Sequence, residues 1–197
     1  MKTFVYASVA VVMMTASMLS ASLSADDWQL DSEQSRLDFV SLKNDTVAEV
    51  NQFTTLKGSW ASDGALSIEI PVSGLATHIF MRDDRIWQYL LKADDYPLIT
   101  ATGQVDPTIV ADLAVNNSKS MRVPLQLTIV EQTVTVSAEV LVTRLADDSL
   151  LVNTQAPVML NAEQFGLVDG LNRLRDLAAL QNINPMVPVT FSVRFSQ

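Results

Sequence analysis

The chain has no cysteine at all. That removes disulfides, thiolate metal sites and cysteine nucleophiles together, so the fold does not depend on redox state. Histidine is nearly absent too: His78 is the only one. A histidine-based metal site would need carboxylate help, and no HExxH-like spacing exists. A Ser-His-Asp triad would have to be built on His78, whose neighbours Thr77, Ile79 and Phe80 give no nucleophile-elbow signature. The ordinary reading of His78 is a loop or rim histidine with no chemistry. GxGxxG and Walker loops are missing as well, so nucleotide binding has no support. Basic residues are scarce, 13 against 22 acidic ones, for a net charge of -9. Phosphate neutralisation and polybasic docking on anionic lipid both need clustered Lys and Arg, so nucleic acid and anionic membrane surfaces are poor partners.

Acidic pairs are present at Asp26-Asp27, Asp83-Asp84, Asp94-Asp95 and Asp147-Asp148. None has calcium-loop spacing, and adjacent carboxylates usually point apart, so they read as turns and solvated edges. Carboxylate-pair glycosidase chemistry needs a defined separation across a cleft, which spacing along a chain does not supply.

The apolar content, 48%, is organised in two ways. The first is a single uncharged run from Phe4 to Leu19, preceded by Lys2 and followed by Ser20-Ala21-Ser22-Leu23-Ser24. This is the layout of a secretory signal over residues 1–24, cleaved after Ser24. A retained anchor is the alternative. No later segment approaches the ~20 apolar residues a spanning helix needs. The expectation is one mature domain over residues 25–197, exported to the periplasm, with no membrane span after cleavage.

The second is alternation. Leu66, Ile68, Ile70 and Val72 fall on one face of an extended segment. Val123, Leu125, Leu127 and Ile129 do the same, as do Val134, Val136, Ala138, Val140 and Val142, and finally Phe191, Val193 and Phe195. Period two keeps such residues together only on a strand with one buried face. Shorter strands are expected at Trp28–Asp31, Arg36–Val40, Val47–Leu56, Leu98–Val105 and Leu150–Leu160. Two segments change period. Ile79–Lys92 puts Ile79, Ile86, Leu90 and Trp87 near one helical face, and Asp169–Leu180 does so with Leu171, Leu174, Leu177 and Ala178. No βαβ rhythm follows either helix. Roughly eight to ten strands with two helical insertions give a mainly β, antiparallel barrel or sandwich in one domain.

The densest polar cluster is Thr77 to Arg85, leading to Tyr96-Pro97-Leu98-Ile99-Thr100. With it the chain resembles the YceI-like family. The opening Trp28-Gln29-Leu30-Asp31 with Ser35 and Phe39 is similar to the family's first strand and turn. Phe53, Gly58 and Gly64 match its early hairpin, and Thr77, Arg82 and Asp83 its Thr-then-Arg-Asp signature. Tyr96-Pro97 matches its Tyr-Pro strand start, Thr128 and Thr133 its central hairpin, and Phe165-Gly166-Leu167 its Phe-Gly-aliphatic motif. The order and spacing of these motifs carry the resemblance. Departures fall at Arg85, where the family often has His, at Val130-Glu131 in place of His-Gly, and at Ala101 in place of an aromatic. The segment Asp169–Leu180 is also longer and more helical.

The resemblance implies an eight-stranded lipocalin-like antiparallel barrel holding a long isoprenoid chain, such as a polyprenyl phosphate or a quinone tail, with no enzymatic activity and no catalytic cofactor. Candidate pocket liners are Phe39, Phe53, Trp60, Phe80 and Trp87 in the first half, and Leu127, Ile129, Phe165, Phe191 and Phe195 in the second. Each is open to the alternative of plain core. Arg82 and Arg85 are placed near the mouth, where an arginine fork suits a polar or anionic head group; Arg82 pairing with a carboxylate to fix the loop is the competing expectation. The second helix is either a cap on the barrel or the face of a homodimer. A ligand-free periplasmic stress or assembly factor on the same fold is the other functional class, and bulky side chains filling the barrel would favour it.

Overall fold

The computed structural model describes residues 27–197; the segment expected to be a signal lies outside the described residues. Period-two alternation becomes strand nearly everywhere it was expected. In order, the strands are β1 (Trp28–Lys43), β2 (Val47–Phe53), β3 (Lys57–Trp60), β4 (Ala65–Pro71), β5 (Leu75–Ala76), β6 (Leu98–Gln104), β7 (Ser118–Ile129), β8 (Gln132–Arg144), β9 (Leu150–Thr154), β10 (Val158–Asn161) and β11 (Met186–Ser196). Helix α1 (Phe80–Arg85) runs straight into a π-helical turn over Ile86–Leu91, α2 (Thr108–Ala111) is a single turn, and α3 (Val168–Leu177) precedes β11. The two expected helical segments are both present, and α2 is an additional short one.

Every strand pairing is antiparallel, and β1-β3-β4-β6-β7-β8-β9-β11 close on themselves through a β11–β1 ladder. These eight form the barrel. Closure removes the exposed edges that an open sheet would carry. The other three strands extend the wall at one end: β2 pairs with the second half of β1, β5 with β2, and β10 with the start of β11.

The extension has a local cause. The sequence suggests two short strands, Trp28–Asp31 and Arg36–Val40, where the protein has one long strand with a register irregularity between Asp31 and Arg36. The polar stretch between them bulges. Asp31 Oδ1 accepts the Glu33 N–H at 3.0 Å, Ser35 Oγ donates to the Asp31 carbonyl, and Ser32 Oγ accepts the Leu56 N–H at 3.1 Å. A bulge bends its strand, so β1 leaves β3 and continues beside β2. The three-residue β1–β2 turn, 44–46, carries positive φ at both Asn44 (48°) and Asp45 (60°), a left-handed backbone that Asn and Asp tolerate, and Thr46 N–H donates to the Lys43 carbonyl at 3.2 Å.

The apolar faces of the strands mostly look inward. One end is sealed: Trp28 and Trp60 are register partners, and the Trp60 and Phe195 rings meet edge-on at 6.0 Å. The other end is spanned by α1, its π turn and α3. Gly170 of α3 sits so close to that turn that a Cβ would lie 2.7 Å from the Tyr89 carbonyl oxygen. Arg85 Nη1 donates to the Leu177 carbonyl at 3.2 Å, and Arg173 stacks over the Tyr89 ring. The loop after α3 is stitched to the β1–β2 turn: Gln181 N–H donates to Asn44 Oδ1 at 2.8 Å and Asn184 N–H to the Leu42 carbonyl at 2.9 Å.

Candidate functional site: an apolar chamber with a polar rim

The inward faces do not meet in the middle. They enclose a cavity of about 570 Å³, within the ~300–1,000 Å³ range of small-molecule sites. Trp60 and Phe195 form its floor, and Phe53, Phe39 and Phe191 stand higher on the wall. Leu127 and Ile129 of β7 line it, as does Phe165 from the turn before α3. Leu171 and Leu174 place the apolar side of α3 against the same space, so this helix caps the barrel.

Two expected liners lie elsewhere. Phe80 is 78% exposed and off the cavity wall: at the start of α1 it faces solvent, while the following positions Arg82, Arg85 and Ile86 turn inward. Trp87 is also off the wall. Its indole N–H donates to the Val72 carbonyl at 2.8 Å, which fastens the π turn to the loop after β4. An expected apolar face that included Trp87 therefore has to be redrawn around Ile86, Leu90 and Leu91, which do line the cavity.

The wall changes character along β1 and β2. On β1 the inward positions run Leu37, Phe39, Ser41, Lys43; on β2 they run Phe53, Asn51, Glu49. The ladder sets Asn51 opposite Phe39 and Glu49 opposite Ser41. The chamber is thus greasy at its base and polar at the end under α1. Lys43, Glu49 and Arg82 are partly exposed there, whereas Trp60 and Phe195 are buried, so the polar end is the mouth.

Arg82 is heavily engaged at that mouth. Its Nε donates to Thr77 Oγ1 at 2.8 Å, Nη2 donates to the Thr77 carbonyl, and Nη1 pairs with Glu49. Glu49 also accepts from Lys43 at 2.7 Å. The Lys43 ammonium, and then the Arg82 charge, hold the Glu49 carboxyl below its usual range despite partial burial. Thr77 is buried and its N–H donates to Asp83 Oδ1 at 2.9 Å. The Thr77, Arg82 and Asp83 motif is therefore a clasp: it holds α1 across the mouth and ties it to β2. Arg85 reaches the wall as well, anchored to α3.

Sequence reading missed Ser41, Lys43, Glu49 and Asn51. The signal was present, since Leu37, Phe39, Ser41 and Lys43 are spaced two apart and must share a face. Among the described residues no cluster of three His, Asp or Glu is placed to hold a metal. No helix among them is long and apolar enough to cross a membrane.

A closed antiparallel barrel with an apolar chamber and a polar, helix-capped mouth is a lipocalin-like binding fold. The YceI-like domain family matches residues 28–195, and the chain belongs to that family. It is similar to a polyisoprenoid binding domain from Saccharophagus degradans implicated in plant cell wall breakdown, at 31% identity and a TM-score of 0.83 over 86% of this chain and 97% of that one. BcnA from Burkholderia cenocepacia is 17% identical with a TM-score of 0.65, covering 84% of this chain and 98% of its own, which supports the fold alone. No curated protein matches the chain.

Proposed function

We propose that this protein is a non-catalytic carrier that shelters a long isoprenoid-type chain inside its barrel, acting in the periplasm as a mature domain of residues 25–197. The observation that carries the reading is the chamber: a cavity of about 570 Å³ walled mainly by apolar side chains from floor to rim. Burying a hydrocarbon chain is worth about 0.8 kcal/mol per CH₂, and part of that is given back to chain ordering and to competition from the membrane. Such a site favours a slender apolar tail over a compact polar solute. Similarity to the polyisoprenoid binding domain of Saccharophagus degradans supports the choice of an isoprenoid tail. Phe39, Phe53, Trp60, Leu127, Ile129, Phe165 and Phe191 are the side chains that would meet the tail, with the head group at the mouth.

The test is gentle extraction of the protein from its own cell envelope, followed by native mass spectrometry and lipid extraction. A co-purifying apolar mass that extracts into organic solvent is expected. A clean apo mass, with no uptake of added prenyl lipid, would overturn the carrier reading and favour an interaction module on the same fold.

A further inference from the structure

The mouth has an apolar side as well as a polar one. Among the described residues, Ile79, Phe80 and Met81 are the one run of adjacent large hydrophobic side chains left in solvent, at 52%, 78% and 62% exposure. Single exposed hydrophobics are ordinary, whereas a contiguous group marks an interaction surface. Ile79 and Met81 also line the cavity. One apolar surface therefore runs from the chamber wall over the rim to the outside, with Phe80 at its tip. Built contacts hold the run there. His78 takes a left-handed backbone at φ 62°, uncommon for any residue but glycine. Thr77 N–H donates to Asp83 Oδ1 at 2.9 Å, and the Arg82 and Asp83 N–H groups donate to the Ile79 carbonyl at 2.8 and 3.1 Å. Thr77 and Asp83 are buried, so these bonds keep the tip from folding back over its own apolar side chains.

Size, charge and cargo together decide what covers this tip. Three side chains at one helical turn fall far short of the ~20–30 residues a side of a stable protein interface. The cations beside it are engaged within the protein: Arg82 and Lys43 with Glu49, Arg85 with the Leu177 carbonyl. With a net charge of -9 over the chain, an anionic surface has nothing to hold. The cargo points to an apolar one. A long apolar tail outside the barrel resides in a bilayer, and each methylene that crosses open water costs about fourfold in population. A rim whose apolar side reaches the acyl boundary lets the tail pass without that exposure.

From this we infer that Ile79, Phe80 and Met81 form a membrane-docking tip: it inserts into the surface of a zwitterionic bilayer and joins the chamber to the acyl layer, so that cargo loads and unloads by direct contact rather than through water. The inference rests on the carrier reading and adds the route by which cargo moves. Docking changes the rate of transfer and not the equilibrium. Phe80, off the cavity wall, therefore governs speed without governing affinity.

The experiment loads the delipidated protein with tritiated geranylgeraniol and follows its transfer to phosphatidylcholine vesicles. The rate should rise in proportion to vesicle concentration. It should change less than about twofold between ~0.05 and ~0.5 M salt, because the contact is apolar. Phe80→Ser should transfer about tenfold more slowly, the size expected for withdrawing one large apolar side chain, with its affinity for the probe unchanged. Phe80→Trp should keep the wild-type rate and gain emission that brominated phosphatidylcholine quenches. A rate independent of vesicle concentration means release through water; it overturns the docking tip and leaves the carrier standing. Wild-type speed in Phe80→Ser does the same, and so does transfer that needs anionic lipid. A wild-type dimer that Phe80→Ser dissociates puts a second copy on the tip and also overturns bilayer docking. Failure of the probe to bind overturns the tip and the carrier together.

Discussion

Filling the barrel from within separates a hollow chamber from a conventional core. Ala101 on β6 lines the cavity and keeps 7% of its surface accessible, so Ala101→Phe would push a phenyl ring into the empty space. Burying about 100 Å² more apolar surface than alanine, at ~25 cal/mol per Å², contributes about 2.5 kcal/mol. Losing the rotamers of that side chain costs about 0.5–1 kcal/mol. The lipid-free variant should therefore be more stable than the wild type by about 1.5–2 kcal/mol. For a domain of this size that is a rise of roughly 3–8 °C in melting temperature. The same variant should lose affinity for a long-tailed prenol by at least about tenfold, because the ring occupies the tail's path. Calorimetric melting of delipidated protein and a lipid titration followed by tryptophan emission measure the two effects. In an ordinary packed core the substitution overpacks and costs ~1–3 kcal/mol. A lowered melting temperature in the lipid-free state would refute the reasoning about the chamber, whatever happened to lipid binding.

Three other perturbations probe the mouth. Glu49 has a folded-state pKa below its ordinary value of 4.5 because of Lys43 and then Arg82, so its stabilisation is present above 4.5 and is lost as the pH falls through the depressed value. Glu49→Gln should lower stability at neutral pH by about 0.5–1 kcal/mol, as expected for a partly exposed ion pair, and urea midpoints should then fall less steeply than in the wild type as the pH drops below 4.5. Phe80→Ser should leave the melting temperature and lipid content unchanged, within about ±0.5 kcal/mol, because the ring is exposed and off the wall; a loss of bound lipid would show that Phe80 meets the cargo after all. Gly170→Val should cost about 1–3 kcal/mol and speed dissociation of a bound prenol, since its side chain would collide with the Tyr89 carbonyl and lift α3 from the mouth. Unchanged dissociation kinetics would mean that α3 does not gate the site.

The strand framework was legible because a half-buried strand writes its burial into the sequence with a period that no helix reproduces. Val123 to Ile129 and Phe191 to Phe195 show it plainly. The joins were harder. The bulge in β1 depends on side-chain bonds from Asp31, Ser32 and Ser35 that cannot be told from a loop by composition, so one strand reads as two. The reverse happened at Leu150–Leu160, one run in the sequence but two strands, β9 and β10, paired with different parts of β11. At Ile79–Lys92 the helix widens into a π turn, which adds a residue to the turn and shifts which side chains face inward. A regular 3.6-residue wheel therefore misplaces Trp87. Asn51 and Ser41 escaped notice for another reason: polar residues on an otherwise apolar face look like exceptions until the partner strand is known.

The chamber also sets a condition on the rest of the fold. At ~24 cal/mol per Å³, the cost found for voids made by truncating core side chains, a space of about 570 Å³ would amount to about 14 kcal/mol. That matches the entire stability of a typical domain, ~5–15 kcal/mol. A wall of separate packed elements would collapse inward under such a load. A ring of eight antiparallel strands resists because narrowing it breaks ladder hydrogen bonds, and the β11–β1 pairing leaves no free edge at which it can slide. The helical cap does not share that constraint: α1 and α3 are held by a few identifiable bonds, Arg82 to Thr77 and Glu49, Arg85 to Leu177, and the Asn44 contacts. Rigidity therefore resides in the barrel and any opening in the cap. A chain that fills the space restores the missing contacts and stabilises the closed form in proportion to its occupancy, so cargo and cap are thermodynamically coupled through the same void.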